Sequence, residues 1–391
     1  MVRPWYVIAL AAIGAVALVP EAQASAPVGD GEGGVRYTYL GRFNTPTHIA
    51  HAPGRRNRGL LFVTEKAGRV RIVREGKPLA RPFLDISRRV LAADFEQGLL
   101  SIAFHPRYAR NRAFYVYFTG NSGDIEIFQF RRSRRSRLRA SAASGRRVLS
   151  IHHPEGIPDH NGGQLAFGPD GLLYAGTGDG FETPRAAQRR SSLLGKLLRI
   201  RPVPGWRFGA AGRPYEIPRR NPFVGRAGRD EIYSLGFRNP FRFSFDSLTG
   251  AIAITDVGQS SREEINFRAR GRARGVNFGW PRWEGTELRD PTVSAPGAVF
   301  PIHEYSHEDR CAVIGGFVVR DRRLAPQYGR YLYADLCDGI LRSLIPGQAG
   351  AGDDQVVVGV TPLALPHSFG EGARHRLFIC TQDALYRLDP A

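Results

Sequence analysis

The chain has 391 residues, 42% of them apolar, and contains only three cysteines, so it can bury a sizeable core without disulfide support. These numbers exclude a small disulfide-stapled scaffold and a fully disordered chain. The formal net charge is +19, and arginine supplies nearly all of the positive charge, because Lys66, Lys77 and Lys196 are the only lysines.

The arginines are spread along the chain, with one local run at residues 131–147. A nucleic-acid binder would concentrate its charge on one element with interleaved aromatic residues, so no nucleic-acid partner is expected. The run is interpreted as solvated surface. The alternative is a loop that contacts something anionic, such as a cell-surface polymer.

The first 24 residues are predicted to be a signal peptide. Arg3 provides a basic start, residues 5–19 form an apolar segment too short to span a bilayer comfortably, and Ala22-Gln23-Ala24 is a cleavage signature. Residues 25–35 then form a flexible segment, and the mature protein is expected to be secreted or periplasmic. An uncleaved leader that acts as an anchor is the alternative. No later stretch reaches the roughly 18 apolar residues of a membrane helix, so no stable membrane insertion is expected after cleavage.

From residue 36 onward, the recurring pattern is a short apolar run, a polar turn and a second run, which is typical of a β-hairpin. Six such units follow one another, at residues 60–74, 113–131, 171–202, 241–258, 330–344 and 376–388. They predict an all-β fold, a single six-bladed β-propeller over residues 36–391. A pair of β-sandwiches is the alternative, but no linker divides the chain into halves.

The stretch 159–179 is the first that could carry chemistry. His160 lies in a glycine-rich segment before one strand of a predicted hairpin, and Asp179 follows the other strand. Hairpin geometry brings these two positions together, so the carboxylate would orient the imidazole and raise its basicity. A loop histidine capped by a nearby acid is the alternative interpretation.

The second constellation follows in the predicted fourth hairpin. Arg238 and Asn239 precede a strand, which places a guanidinium and an amide where they could bind carboxylate or quinone oxygens. After the next strand, Gly258 and Gln259 offer backbone carbonyls, and Glu263 and Glu264 follow closely. Carbonyls together with carboxylates are the ligands that calcium prefers. An ordinary turn with solvated glutamates is the alternative.

Two of the three cysteines lie in neighbouring strand-like segments. Cys311 and Cys337 could form a disulfide in an oxidising compartment. Cys380 lies within an apolar run and is predicted to be a buried thiol. No C-x-x-C metal or redox motif is present in the sequence.

Several long motifs, in this order along the chain, resemble those of the glucose/sorbosone dehydrogenase family. They are EQGLLSIAFHP (96–106), HNGGQLAFGPDGLLYAGTGD (160–179), GFRNPF (236–241), EEIN (263–266), NFGWP (277–281) and GGFVVR (315–320). The family includes soluble quinoprotein aldose dehydrogenases and the propeller domain of hedgehog-interacting proteins. The resemblance covers nearly the whole predicted mature chain and implies the six-bladed propeller independently.

In the quinoprotein members, pyrroloquinoline quinone (PQQ) and calcium sit at the top of the propeller, and an aldose is oxidised by hydride transfer to the quinone. Electrons then pass to an external acceptor. The resemblance implies His160 as the general base, Asp179 as its orienting carboxylate and Arg238 as the group that stabilises negative charge on the quinone oxygen. The implied cofactor contacts are Glu96, His160, Arg238 and Asn239, and the implied calcium ligands are Gly258, Gln259 and Glu264.

Three positions depart from the glucose-oxidising members. Glu96 stands where they have glutamine, Cys337 occupies the place of a late lysine, and HSFGEG (367–372) replaces a terminal Arg-x-Arg pair. An acid facing a tricarboxylate cofactor is an unfavourable like-charge contact unless a cation offsets it. These departures define an alternative function, a secreted propeller without redox chemistry that binds carbohydrate or a protein partner.

Overall fold

The structure is a computed structural model that describes residues 27–203 and 212–391. The predicted signal peptide therefore lies outside the described residues. Residues 27–34 precede strand β1 (Val35–Arg42), and their backbone bonds to a distant loop, with Gly29 N donating to Tyr328 O at 2.7 Å and Gly31 N donating to Pro326 O at 2.7 Å. In the described part of the chain, no helix has the length and apolar character needed to cross a membrane.

The strands that follow β1 form antiparallel sheets one after another along the chain. Blade 1 comprises β2 (Pro46–His51), β3 (Leu60–Glu65), β4 (Arg69–Arg74), β5 (Lys77–Pro78) and β6 (Leu84–Asp85). Blade 2 comprises β7 (Leu99–Phe104), β8 (Ala113–Thr119), β9 (Ile125–Arg132) and β10 (Ala140–Ile151), with a short helix α1 (Tyr108–Asn111) between β7 and β8. Blade 3 comprises β11 (Leu165–Phe167), β12 (Leu173–Thr177), β13 (Lys196–Pro202), β14 (Tyr215–Glu216) and β15 (Ile232–Leu235).

The second half of the chain repeats this arrangement. Blade 4 comprises β16 (Arg242–Phe245), β17 (Ile252–Asp256), β18 (Arg262–Arg268) and β21 (His303–Ser306), and it carries an inserted hairpin of β19 (Trp283–Glu284) and β20 (Glu287–Leu288). Blade 5 comprises β22 (Val313–Val318), β23 (Tyr331–Asp335), β24 (Arg342–Ile345) and β25 (Gly352–Val356). The last strands are β26 (Ser368–Glu371), β27 (Leu377–Cys380) and β28 (Ala384–Pro390).

Blade 6 is built from both ends of the described chain. Strands β26, β27 and β28 supply three of its strands, and β1 adds the fourth by pairing antiparallel with β28. Val35 lies opposite Pro390 at one end of this pair, and Arg42 lies opposite Ala384 at the other. The pairing closes the ring of six blades, so that the first and last blades are held together through the backbone.

The blades pack face to face, which explains why their strands are apolar on both sides. Each of the six buried hydrophobic clusters lies between two consecutive blades. In β3, Phe62 packs towards blade 2, while Leu61 and Val63 pack towards blade 6. The Phe62 ring centroid lies 4.8 Å from that of Phe83 and 4.6 Å from that of Phe104. Successive side chains of one strand thus serve two different interfaces.

The propeller prediction is confirmed, and each of the six predicted hairpins belongs to a different blade. The predicted disulfide is also present, since Cys311 and Cys337 are bonded before β22 and after β23. Cys380 is a buried free thiol, as expected.

The two ends of the blades define two faces. The upper face carries the turns between the second and third strand of each blade, together with the starts of the innermost strands. The lower face carries the turns between the first and second strands, such as residues 52–59 in blade 1 and 105–112 in blade 2. The candidate catalytic and ligand-binding residues predicted from the sequence all lie at the upper face.

A buried carboxylate reinforces the closing strand pair. Asp389 is 2% exposed and accepts hydrogen bonds from Arg387 Nε at 2.7 Å, from Thr38 Oγ1 at 2.7 Å and from Arg323 Nη1 at 2.8 Å. Burial alone would raise the pKa of Asp389, but the three donors outweigh it and lower this pKa from 3.8 to about 2.

Because its folded pKa lies below its unfolded value, Asp389 stabilises the fold above about pH 4, and this contribution is lost as the pH falls towards about 2. We expect Asp389→Asn to lower the melting temperature at pH 7 by about 2 °C or more, and the deficit to shrink between pH 4 and pH 2. Calorimetry across this pH range measures both quantities. Asp383→Asn is the matched control, because Asp383 pairs with Arg42 where the side chains are 58% and 79% exposed. A deficit that stays constant down to pH 2 would contradict the role of Asp389.

Candidate active site at the upper face

Two glycine-rich segments lie side by side at the upper face of blade 3. HNGG (160–163) leads towards β11, and GTGD (176–179) ends β12, which pairs antiparallel with β11. The two backbones approach so closely that a Cβ on Gly178 would overlap the carbonyl oxygen of His160. Glycine is therefore required at residue 178, because only a residue without a side chain permits this approach.

This packing joins His160 to Asp179. His160 Nδ1 lies 2.7 Å from Asp179 Oδ1, and the two residues are 3% and 0% exposed. Trp280 Nε1 donates to Asp179 Oδ2 at 2.7 Å, and Phe181 N donates to Asp179 Oδ1 at 2.9 Å. The carboxylate accepts the Nδ1 proton, which leaves the lone pair on Nε2. Among the described residues, this Nε2 has no hydrogen-bond partner, so it can accept a proton from a substrate.

Glu96 and Asn239 connect this pair to blade 4. Glu96 Oε2 accepts hydrogen bonds from His160 N at 2.8 Å and from Asn239 Nδ2 at 3.0 Å. Asn239 Oδ1 accepts a hydrogen bond from Gly162 N at 2.9 Å. Burial raises the pKa of Glu96. The positive charge of a protonated His160 and the hydrogen bond from the Asn239 amide offset this rise only in part.

A buried aspartate positions the Arg238–Asn239 pair. The Asp256 carboxylate accepts the backbone N–H of Arg238 at 2.9 Å and that of Asn239 at 2.7 Å. Arg238 is 7% exposed, and its guanidinium donates to Val257 O at 3.0 Å and to Gln259 Oε1 at 3.2 Å. The structure therefore brings Arg238 to the segment that carries the predicted calcium carbonyls.

The segment 258–262 is folded around one carboxylate oxygen. Glu284 Oε1 accepts the backbone N–H groups of Gln259 at 2.7 Å, Ser260 at 2.8 Å, Ser261 at 2.8 Å and Arg262 at 3.2 Å. Burial raises the pKa of Glu284, but these four donors outweigh it and the pKa is lowered. In a trans peptide the carbonyl points opposite to the N–H, so the carbonyls of Gly258 and Gln259 point away from Glu284. Neither accepts a hydrogen bond from a described residue.

The structure does not bring Glu264 to this segment. Successive side chains of β18 point to opposite faces, and it is Glu263 whose Oε1 accepts the N–H of Gly258 at 3.1 Å and contacts His307 Nε2 at 2.7 Å. Glu264 Oε1 instead accepts the N–H of Gly285 at 2.6 Å. The predicted role of Glu264 in calcium binding thus receives no geometric support, whereas the two carbonyls are oriented suitably.

A cavity of about 90 Å³ opens beside Glu96 and Asn239 near the propeller axis, and Lys66 and His367 also line it. No acidic side chain among the described residues pairs with Lys66 at ion-pair distance, and burial lowers the pKa of its ammonium group. His367 is 7% exposed, and its Nδ1 lies 3.2 Å from Pro46 O. Its Nε2 is buried without a partner among the described residues.

Side chains alone do not form a metal site here. Within residues 27–203 and 212–391, one group of three ligand-type side chains has its ligand atoms within 4.8 Å of one another, namely Cys311, Asp335 and Cys337. The two cysteines are joined in the disulfide, and Asp335 Oδ1 accepts the N–H of Cys337 at 2.9 Å. A cation at the upper face would therefore depend mainly on backbone carbonyls.

Several residues of this site carried no predicted role, among them Lys66, His367 and three buried residues. The three buried residues are Asp256, Trp280 and Glu284, each nine-tenths or more buried. Asp256 accepts a hydrogen bond from the backbone of Arg238, and Trp280 donates one to Asp179. Glu284 accepts one from the backbone of Gln259. Asp256 ends β17 two residues before Gly258, and Glu284 ends β19 immediately before Gly285. This local pattern signals a turn-capping carboxylate, but it does not identify which turn is capped.

The fold and the site together define a class: six-bladed propellers with a buried histidine–aspartate pair and an arginine at one end of the ring. Residues 43–342 match the family model described as Glucose / Sorbosone dehydrogenase, and the chain belongs to this family. The expectation from the sequence motifs is thereby confirmed.

The relatives include proteins with different names. The HIPL2 protein of Arabidopsis thaliana is 31% identical over 344 residues, which cover 71% of this chain and 48% of that protein. The Hedgehog-interacting protein of Mus musculus is 29% identical over 70% of this chain and 39% of its own length. The aldose sugar dehydrogenase YliI of Escherichia coli is 27% identical over 61% of this chain and 60% of its own length. The chain thus spans about half the length of the curated relatives that it matches.

Among solved structures, the PQQ-bound form of aldose sugar dehydrogenase from Streptomyces coelicolor matches with a TM-score of 0.72. The match covers 92% of this chain and 99% of that chain, at 24% sequence identity. At this identity, the likeness shows the common propeller fold.

Glu284 is expected to hold the segment 258–262 in shape. Glu284→Ala should raise the hydrogen-exchange rates of the amides at 259–262 by about tenfold or more, because each loses a hydrogen bond to a charged acceptor. Hydrogen exchange followed by mass spectrometry measures this directly. Glu287→Ala, in the same hairpin but with a 46% exposed side chain, is the matched control and should leave these rates near those of the wild type. Equal exchange in the two variants would show that Glu284 does not hold the loop.

Proposed function

We propose that this chain is an exported, PQQ-dependent sugar dehydrogenase that oxidises aldoses at the anomeric carbon, with calcium beside the cofactor. The observation that carries the proposal is the buried His160–Asp179 pair, whose Nε2 is available to a substrate. Membership of the family supports a sugar dehydrogenase, and the names of the aldose sugar dehydrogenase relative and of the PQQ-bound structure support this substrate class and cofactor. Electrons would leave to an external acceptor.

Two residues of this chain, His160 and Asp179, would carry out the proton transfer from the sugar. His160 Nε2 would accept the proton of the anomeric hydroxyl while Asp179 holds the Nδ1–H and stabilises the imidazolium that forms. The donors from Trp280 and Phe181 fix the carboxylate, so the imidazole cannot rotate away without breaking a 2.7 Å hydrogen bond. General-base catalysis of this kind contributes about 10²-fold to 10⁴-fold in rate.

Arg238 supplies fixed positive charge on the neighbouring blade. Its two hydrogen bonds to the 257–259 segment use Nε and Nη1, which leaves Nη2 for an anionic oxygen. A guanidinium held in this way does not need to reorganise when negative charge develops, which is the basis of electrostatic stabilisation in active sites. Gly258 and Gln259 would present their carbonyls to calcium.

The polar groups of the cavity fit an anionic, heteroaromatic cofactor. Lys66 offers an unpaired ammonium to carboxylates, and the buried Nε2 of His367 lacks the partner that a ligand N–H or O–H would provide. Lys66, from blade 1, would thereby take over the charge of the late lysine that is replaced by Cys337. When PQQ is bound, its quinone supplies the two-electron acceptor for the hydride of the sugar.

A second function is favoured by one feature of the same cavity. The carboxylate of Glu96 lines it, and a carboxylate that faces a tricarboxylate cofactor is an unfavourable like-charge contact. This contact favours a secreted propeller that binds carbohydrate or a protein partner without redox chemistry. Titration of the purified protein with PQQ and calcium distinguishes the two functions, because only the first requires saturable binding at micromolar PQQ.

Under the first function, His160→Ala should reduce sugar-dependent dye reduction by about 10²-fold or more, because the general base is lost. PQQ binding, followed by absorbance, should change much less. His152→Ala is the matched control, since this histidine lies eight residues earlier and its side chain is 84% exposed. Turnover in His160→Ala equal to that of His152→Ala would exclude His160 as the base.

Lys66→Ala should weaken PQQ binding by about tenfold, because one hydrogen bond between charged groups contributes about 1.5 kcal/mol or more. Lys77→Ala, which removes an exposed lysine on the outer edge of blade 1, should leave the affinity unchanged. Isothermal titration at two salt concentrations measures the effect, and the difference between the variants should be larger at low salt. Equal affinities would show that Lys66 does not contact the cofactor.

A further inference from the structure

The lower face carries a concavity of about 390 Å³ beneath blades 1 and 2, on the opposite side of the ring from the candidate active site. Two turns and the short helix α1 form its walls: residues 54–57 between β2 and β3, Tyr108 and Ala109 of α1, and residues 132–137, which run from the last residue of β9 into the turn before β10. Its lining includes six arginines, here called the lower arginine cluster: Arg55, Arg56, Arg132, Arg134, Arg135 and Arg137.

The lower arginine cluster has no internal counter-charge. The lining of the concavity contains no aspartate or glutamate, and none of the six guanidiniums forms an ion pair with a described residue. Many other arginines of this protein do form such pairs, for example Arg42 with Asp383 and Arg69 with Asp85. Six positive charges around one concavity repel one another, so an anion placed among them would be attracted by all of them.

The two turns are fixed relative to each other. Arg137 Nη1 donates to Arg56 O at 2.6 Å, which ties the turn of blade 2 to that of blade 1. The Arg132 guanidinium lies 5.9 Å from the Tyr108 ring centroid and donates from Nη1 to Ser133 O at 2.8 Å. The arginines thus come from segments about 80 residues apart, and the hydrogen bond across the turns holds them in one surface.

The concavity is hydrophilic as well as basic. Among the described residues, no large apolar side chain is exposed on the segments that line it, and Tyr108 is only 1% exposed. Single-stranded nucleic acids are bound largely by stacking of bases on aromatic rings, and amphipathic membrane binding needs exposed apolar side chains. Neither feature is present here. What remains is recognition of oxyanions by guanidiniums, which bind carboxylate and sulfate groups through paired hydrogen bonds.

We propose that the lower arginine cluster binds an acidic polysaccharide through its repeating carboxylate or sulfate groups. A hydrophilic chain with regularly spaced oxyanions can place one group in the concavity and others against the arginines around it. The candidate active site lies at the opposite face, so a bound polymer leaves it open. The protein could then be retained on an acidic polymer while the upper face remains accessible.

The test measures binding of the full protein to four probes at two salt concentrations: polygalacturonate, heparin, a 20-base-pair DNA duplex and vesicles containing anionic phospholipid. The test variant is Arg134→Gln/Arg135→Gln/Arg137→Gln, which removes three charges from the lower arginine cluster. The control variant is Arg42→Gln/Arg69→Gln/Arg185→Gln, which removes three charges at ion-paired arginines whose side chains are 79%, 50% and 56% exposed. Both variants therefore have the same net charge.

We expect the wild type to bind at least one of the two polysaccharides, with affinity that falls as salt rises. The test variant should bind about 30-fold more weakly, because each exposed ion pair contributes about threefold. The control variant should lose less than about threefold. Preference for polygalacturonate identifies carboxylates as the ligand groups, and preference for heparin identifies sulfates.

Three outcomes would overturn the proposal. Equal losses in the two variants would attribute binding to net charge rather than to the cluster. Tighter binding to the DNA duplex or to the vesicles, abolished in the test variant, would assign the cluster to that class of partner instead. If the wild type binds neither polysaccharide at low salt, the lower arginine cluster does not recognise acidic polysaccharides.

Discussion

The pairing of β1 with β28 is the constraint on which the rest of the structure depends. It joins the two ends of the described chain within one blade and so fixes the number of blades that share the axis. Because the ring is closed, the loops of blades 1 to 4 converge on one small region of the upper face. Asp389 supports this closure by collecting three hydrogen bonds from different parts of the last two blades.

Buried carboxylates then set the geometry of the upper face. Asp179 holds His160, Asp256 holds the backbone of the Arg238 turn, and Glu284 gathers four successive N–H groups of the neighbouring segment. Each one would be costly to bury alone, and each is satisfied by several donors. The arrangement rigidifies the candidate site before any ligand enters, which is the condition for electrostatic stabilisation. Glu96 is the exception, since its carboxylate also lines the cavity that a cofactor would fill.

Much of this site could be predicted because its residues flank single hairpins. His160 precedes β11 and Asp179 follows β12, and these two strands pair antiparallel in one blade, so local pairing brings the two residues to the same end of the hairpin. Glu264 shows where such prediction fails. Two consecutive glutamates in a strand must face opposite ways, and the sequence does not reveal which one faces the loop. In the structure, Glu263 accepts the hydrogen bond from Gly258 N, and Glu264 accepts one from Gly285 N in the inserted hairpin.

The sequence by itself determined the six-bladed fold. It contains six hairpin units whose strands are apolar on both faces, and such units bury those faces by stacking against one another as blades. It also determined the pairing of Cys311 with Cys337, whose strands are neighbours in one hairpin. Only the tertiary structure decided which distant groups meet. Lys66 reaches the axial cavity from blade 1, Glu284 caps a turn of another strand pair, and arginines some 80 residues apart converge on the lower face. The physical reason is that strand patterning reports burial and local pairing, whereas contacts between blades depend on how the closed ring orients every loop.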